Sequence, residues 1–106
     1  MKFYRNGDGD PCVDAGPSGE VIGHFLTEDI QDSPASCDEI MTMIDRIFNE
    51  EITSWRRVGN AHILSLSKNE AIIEALFDPG EKPFHLSLGD FRDIVRNWLH
   101  FLDNRE

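Results

Sequence analysis

The sequence predicts an α+β fold, a small antiparallel sheet with two amphipathic helices packed on one face, and three observations predict it. Apolar residues recur at helical spacing in two windows, Ile40 to Phe48 and Phe91 to Leu102. Each window follows a serine with a carboxylate three residues later, Ser36 to Glu39 and Ser87 to Asp90, the spacing by which a hydroxyl and a carboxylate satisfy the first amides of a helix. Between the windows lie β-branched and aromatic runs broken by turn residues, as a meander of strands requires.

Taken in order, Met1 to Arg5 reads as a short strand, and the Gly, Pro and Asp residues of Asn6 to Gly19 read as a turn-rich connection. Glu20 to Leu26 (EVIGHFL) carries enough β-branched and aromatic residues for a second strand able to pair with the first. Ser33-Pro34 and the Ser36 spacing then open a helix whose stripe is Ile40, Met43, Ile44, Ile47 and Phe48. Ile52 to Val58 and Ala61 to Ser67 flank Gly59-Asn60, read as a two-residue turn with glycine supplying the positive φ of a type II′ hairpin. Strand alternation there puts Trp55 and Arg57 on one face and Arg56 on the other. Glu70 to Phe77 reads as a strand on its Ile-Ile and Phe content, although Ala, Glu and Leu also favour helix. Asp78-Pro79-Gly80 turns the chain, and the last helix carries Phe91, Ile94, Val95, Trp98 and Leu102. The expected order is β-β-α-β-β-β-(β)-α in one domain, residues 1 to 106, since a chain of this length buries a single core.

Charge is the second signal. Between Arg5 and Arg46 there is no Lys or Arg but there are ten carboxylates, so the formal net charge of -10 arises almost wholly in the first half. Such a surface repels nucleic acid and anionic membrane and steers toward a cationic partner. The N-terminus has no apolar signal region and no run of residues approaches a membrane span, which makes a cytoplasmic location the expectation. Cys12 and Cys37 are expected to be free thiols in a reducing compartment.

Catalytic and cofactor motifs find little support. Asn6-Gly7-Asp8-Gly9-Asp10 opens like a calcium loop, but Pro11 stands where such a loop needs Gly and Pro17 where it needs a bidentate Glu. The glycines form neither a dinucleotide fingerprint nor a phosphate loop, and His24, His62, His85 and His100 are scattered one per element. No serine sits in a nucleophile elbow, and the carboxylates around Cys12 oppose a thiolate. The expectation is a chain that is not an enzyme and takes no cofactor and no metal.

Glu20 to Phe25, the Ser54-Trp55-Arg56-Arg57-Val58-Gly59-Asn60 hairpin and the closing Leu86 to Phe101 resemble the YacL-like family of small acidic bacterial proteins. The resemblance spans residues 20 to 103, leaves Asn6 to Gly19 outside it, and implies no active-site residues. In size and charge the chain also resembles immunity proteins of contact-dependent growth inhibition. That second likeness implies a basic protein partner, a toxin nuclease domain, bound through Asp8, Asp10, Asp14, Glu28, Asp29 and Asp32. A housekeeping YacL-like protein of the cytosol is the alternative, and a small enzyme the third.

Overall fold

The computed structural model describes residues 1–16, 19–78 and 80–103. Its elements are β1 (Lys2–Arg5), β2 (Pro11–Asp14), α1 (Glu20–His24), a π-helix (Phe25–Ile30), α2 (Pro34–Phe48), β3 (Ser54–Val58), β4 (His62–Ser67), β5 (Ala71–Ala75), β6 (Phe84–Leu86) and α3 (Leu88–Asp103). Two antiparallel sheets result, β1-β2 and β3-β4-β5-β6, so the α+β class holds. The optional strand before the last helix is β6.

Ser87 caps α3 as its spacing required, its Oγ accepting the Asp90 amide at 3.0 Å. The cap of α2 lies three residues earlier than expected. Ser33 Oγ accepts the Ser36 amide at 3.2 Å and Pro34 takes the first turn, where its missing N–H costs nothing. Ile40, Ile44 and Ile47 of α2 pack with Leu88, Phe91, Val95, Trp98 and Leu102 of α3 and with Leu64, Leu66, Ala71 and Ile73 of the larger sheet. Three residues of the expected stripes lie outside the buried core: Phe48, at the end of α2, is 45% exposed, Met43 is half-buried, and Ile94 is half-buried at the edge of the core.

The main departure is at residues 20–30. They do not form the partner strand of β1; they form α1 and the π-helix, and the partner is β2, drawn from the expected loop in the register Phe3 to Val13. The buried residues Ile22, Phe25, Leu26, Asp29 and Ile30 are spaced three, one, three and one, which is a helical stripe with a carboxylate at one apolar position. At the hairpin tip Asn6 Oδ1 accepts the amides of Asp8 and Asp10, and Gly9 adopts φ 83°. Alternating Asn, Gly and Asp therefore build a tight turn in which the Asn6 oxygen faces the chain's own amides.

The β3–β4 turn departs in its chemistry. Gly59 N donates to His62 O at 2.9 Å, so Asn60 and Ala61 form the tip and Gly59 lies outside it. Among the described residues the positive-φ glycines are Gly9 and Gly16. Gly59 is required instead by close approach, because a Cβ there would lie 2.5 Å from Asp29 Oδ2.

Candidate functional site: an acidic groove

β2 and the helix formed by α1 and the π-helix run past each other and leave a seam between them. Two adjoining hollows lie along it. One, about 430 Å³, is lined by Val13, Asp14, Glu20, Gly23, His24 and Thr27 among others. The other, about 320 Å³, is lined by Asp10, Pro11, Thr27, Gln31 and Asp32. Thr27 is common to both, so the seam reads as one groove carrying carboxylates from the hairpin and from the helix. The first hollow also holds His24, an exposed imidazole, with Asp14 and Glu20 in the same lining.

Of the six carboxylates named from the sequence, the structure brings Asp10, Asp14 and Asp32 into this groove. Asp8 stands exposed at the hairpin tip and Glu28 is exposed on the π-helix. Asp29 is no part of the charged surface, since its side chain is only 1% exposed. A core position of the helical stripe, invisible while the segment was read as a strand, has drawn it inward. Glu20 is the groove residue that sequence reasoning left out, and reading residues 20–30 as a helix would have put it one turn from Gly23 and His24 on the same face.

Asp29 is held by the β3–β4 turn. Its Oδ1 accepts the Ala61 amide at 2.9 Å, and His62 Nδ1 lies 3.5 Å from the same oxygen. Asn60 Nδ2 also donates to Glu28 O at 3.2 Å. Asp29 Oδ2 and His62 Nδ1 are both buried without a hydrogen-bond partner, an unusual state for polar atoms in a core. The π-helix ends at Gln31, whose amide donates to Leu26 O at 2.8 Å and whose own carbonyl accepts the Trp98 indole N–H at 3.1 Å. Gln31 adopts φ 60°, ψ -143°, a conformation that costs a non-glycine residue about 1 to 3 kcal/mol. Arg5 braces the other wall: its Nη1 donates to Gly9 O at 2.8 Å and lies 3.4 Å from Asp32 Oδ2.

The other histidines and the arginine pair lie away from the groove. His85 Nδ1 is 3.1 Å from Glu70 Oε2 on the exposed face of the larger sheet. Arg57 turns inward to within 3.6 Å of Glu39, while Arg56 points to solvent on the opposite face, as alternation required. Trp98 is wholly buried and Trp55 packs half-buried against the core, so neither is a free aromatic anchor. Among the described residues no three His, Cys, Asp or Glu side chains converge closely enough to hold a metal ion. Nor, among them, is any helix long and apolar enough to cross a membrane.

Comparison with known proteins places this architecture. The model of the family described as "Uncharacterised protein family (UPF0231)" matches residues 1–77, and so takes in the groove and the Asn6 to Gly19 connection that the YacL-like resemblance had left aside. A UPF0231 protein of Shewanella baltica is 26% identical over 79% of this chain and 80% of its own length. One from Enterobacter is 24% identical over 98% of both chains, and one from Shewanella amazonensis is 32% identical over 70% of this chain and 60% of its own. No solved structure gives a significant match. None of these relatives is named as an immunity protein or a toxin inhibitor. The chain belongs to the UPF0231 family.

Proposed function

We propose that the protein acts by binding a cationic protein partner through the groove between β2 and the α1–π segment, and not by catalysis. The carrying observation is convergence: Asp10 and Asp14 from the hairpin, and Glu20 and Asp32 from the helix and its end, line one seam. Carboxylates lining a concave surface focus their field into it, raising on-rates for a basic partner by ~10 to 10³. The partner's lysines and arginines would supply rate and register, with affinity left to whatever they bury.

A housekeeping role in the bacterial cytoplasm fits this reading better than toxin immunity. Relatives in Shewanella and Enterobacter align over most of their lengths at low identity, the pattern of a chain kept across genera. Immunity to a basic nuclease draws on charge alone. His24 lines the same hollow as Asp14 and Glu20, so proton transfer is the competing chemistry.

The test is retention of basic proteins from a bacterial lysate on immobilised wild type and on the variant Asp10→Lys, Asp14→Lys, Glu20→Lys. Wild type is expected to retain a basic protein that elutes with rising salt, and the triple variant to lose it while melting cooperatively. Equal retention by both proteins, or none by either, overturns the reading. Retention unchanged in His24→Ala would separate binding from proton transfer. Co-purification with the product of a neighbouring toxin gene would restore immunity.

A further inference from the structure

A π-helix carries one more residue in its turn than an α-helix, and such turns persist where surrounding contacts fix them, often at functional sites. Phe25, Leu26 and Ile30 anchor this one in the core, His62 Nδ1 lies 3.5 Å from Asp29, and the hydrogen bonds that reach it from other elements can be named. Asp29 accepts the Ala61 amide, Glu28 O accepts Asn60 Nδ2, and Gln31 O accepts Trp98 Nε1. The first two come from the β3–β4 turn, on the side of the segment away from the groove. Thr27, Gln31 and Asp32 line the groove itself. One segment therefore touches the turn with Glu28 and Asp29 and the groove with their neighbours.

The latch is imperfect. Asp29 is buried with one carboxylate oxygen unpartnered, against a glycine that leaves no room for a side chain, and the segment ends in a strained Gln31. Releasing Asp29 would let the Gln31 amide return from Leu26 O to Thr27 O, the α register. That change turns the residues beyond it by about 100° around the helix axis and moves Gln31 and Asp32 relative to the hairpin. The two registers are discrete arrangements of the kind that a ligand can select between.

We propose that the π-helix Phe25–Ile30 is a two-position wall of the acidic groove, latched by Asp29 on the β3–β4 turn, and that a cationic segment binds the latched position in preference to the released one. The ligand half of this proposal rests on the groove being the binding site; the latch does not.

The experiment is amide hydrogen exchange and nuclear Overhauser mapping of the whole chain with and without hexalysine, on wild type, Asp29→Ala, Asp29→Asn and Gly59→Ala. In wild type, saturating hexalysine should slow exchange at Ala61 and Gln31 about tenfold, although Ala61 lies outside the groove. Asp29→Ala and Gly59→Ala should shift the Gln31 pairing to Thr27 and weaken hexalysine about tenfold, whereas Asn, which keeps the accepting oxygen, should restore both. Should Asp29→Ala or Gly59→Ala fail to fold, the wild-type response at Ala61 and the Asn variant decide. Hexalysine that binds without altering exchange at Ala61 overturns the two-position wall and leaves the groove standing. Variants that keep the 26–31 pairing overturn the latch whether or not hexalysine binds. Absence of hexalysine binding to wild type sinks the groove reading and the ligand half together, and the register of the variants then judges the latch alone.

Discussion

Cys37 sits in the first turns of α2 with no exposed surface, and its thiol is pushed up to about 12 by burial first and then by the carboxylates of Asp38 and Asp103. A folded-state value raised above the unfolded 9.0 means that the native protein holds a proton the unfolded chain gives up. The stabilisation is present in full below pH 9 and is lost as pH rises toward 12, at roughly 1.4 kcal/mol per pH unit in that window. Urea titrations at pH 8 and pH 10 should show wild type losing more stability than Cys37→Ala across the interval; parallel losses would count against the thiol as the source. In the folded protein at pH 8, a thiol reagent should modify the half-buried Cys12 and spare Cys37 until denaturant is added.

At the scale of elements, α2 shows how an end is made without the usual residue. Glu51 N donates to Arg46 O at 2.9 Å and Glu50 N to Ile47 O at 3.0 Å, the paired bonds of a Schellman stop. The left-handed position of that motif, normally glycine, is held by Glu50 at φ 60°. Its carboxylate reaches Lys68 Nζ at 2.9 Å, but both side chains are more than half exposed, so the pair contributes little. Glu50→Gly should therefore stabilise the protein by about 0.5 to 1 kcal/mol, read as a rise in the urea midpoint with unchanged slope. A lower midpoint would mean that the Glu50–Lys68 contact matters more than its exposure implies.

Over the whole molecule, a formal charge of -10 on 106 residues makes self-repulsion the long-range term that salt can change. Several ion pairs are solvated, Arg96 to Asp93 at 2.7 Å and Arg92 to Asp45 at 3.1 Å among them, and screening weakens these as well. Because carboxylates outnumber cations two to one, raising NaCl from about 10 to 200 mM should increase Tm by a few degrees, 1 kcal/mol corresponding to about 4 to 8 °C at this size. A fall in Tm would show that the ion pairs outweigh the repulsion. The same salt should slow capture of a basic partner, so stability and association are expected to move in opposite directions.

Local rules were enough for α3, for the span of α2 though not its cap, and for the strands of the β3–β4 hairpin though not its turn, because a stripe or strand alternation is written in neighbouring residues. Ser87 caps α3 where it should, and Trp55, Arg56 and Arg57 divide between faces as a pleat demands. The acidic bias of the first half was equally legible from composition. Residues 20–30 were not, because Val, Ile and Phe favour strands, and the helical stripe emerges only when Asp29 is counted as a core residue. Nothing local says that a carboxylate will be buried; that depends on the Ala61 amide, thirty-two residues away, and on Gly59 leaving space beside it. Nor could composition say which carboxylates share a groove, since Asp14 and Glu20 meet only because β2 returns along β1 and the helix then packs across it. The sequence by itself determined the charge, the two long helices and the meander, which follow from near-neighbour chemistry. The tertiary structure alone decided the π-helix, the burial of Asp29 and the groove, because each depends on groups that the chain brings together only when it folds.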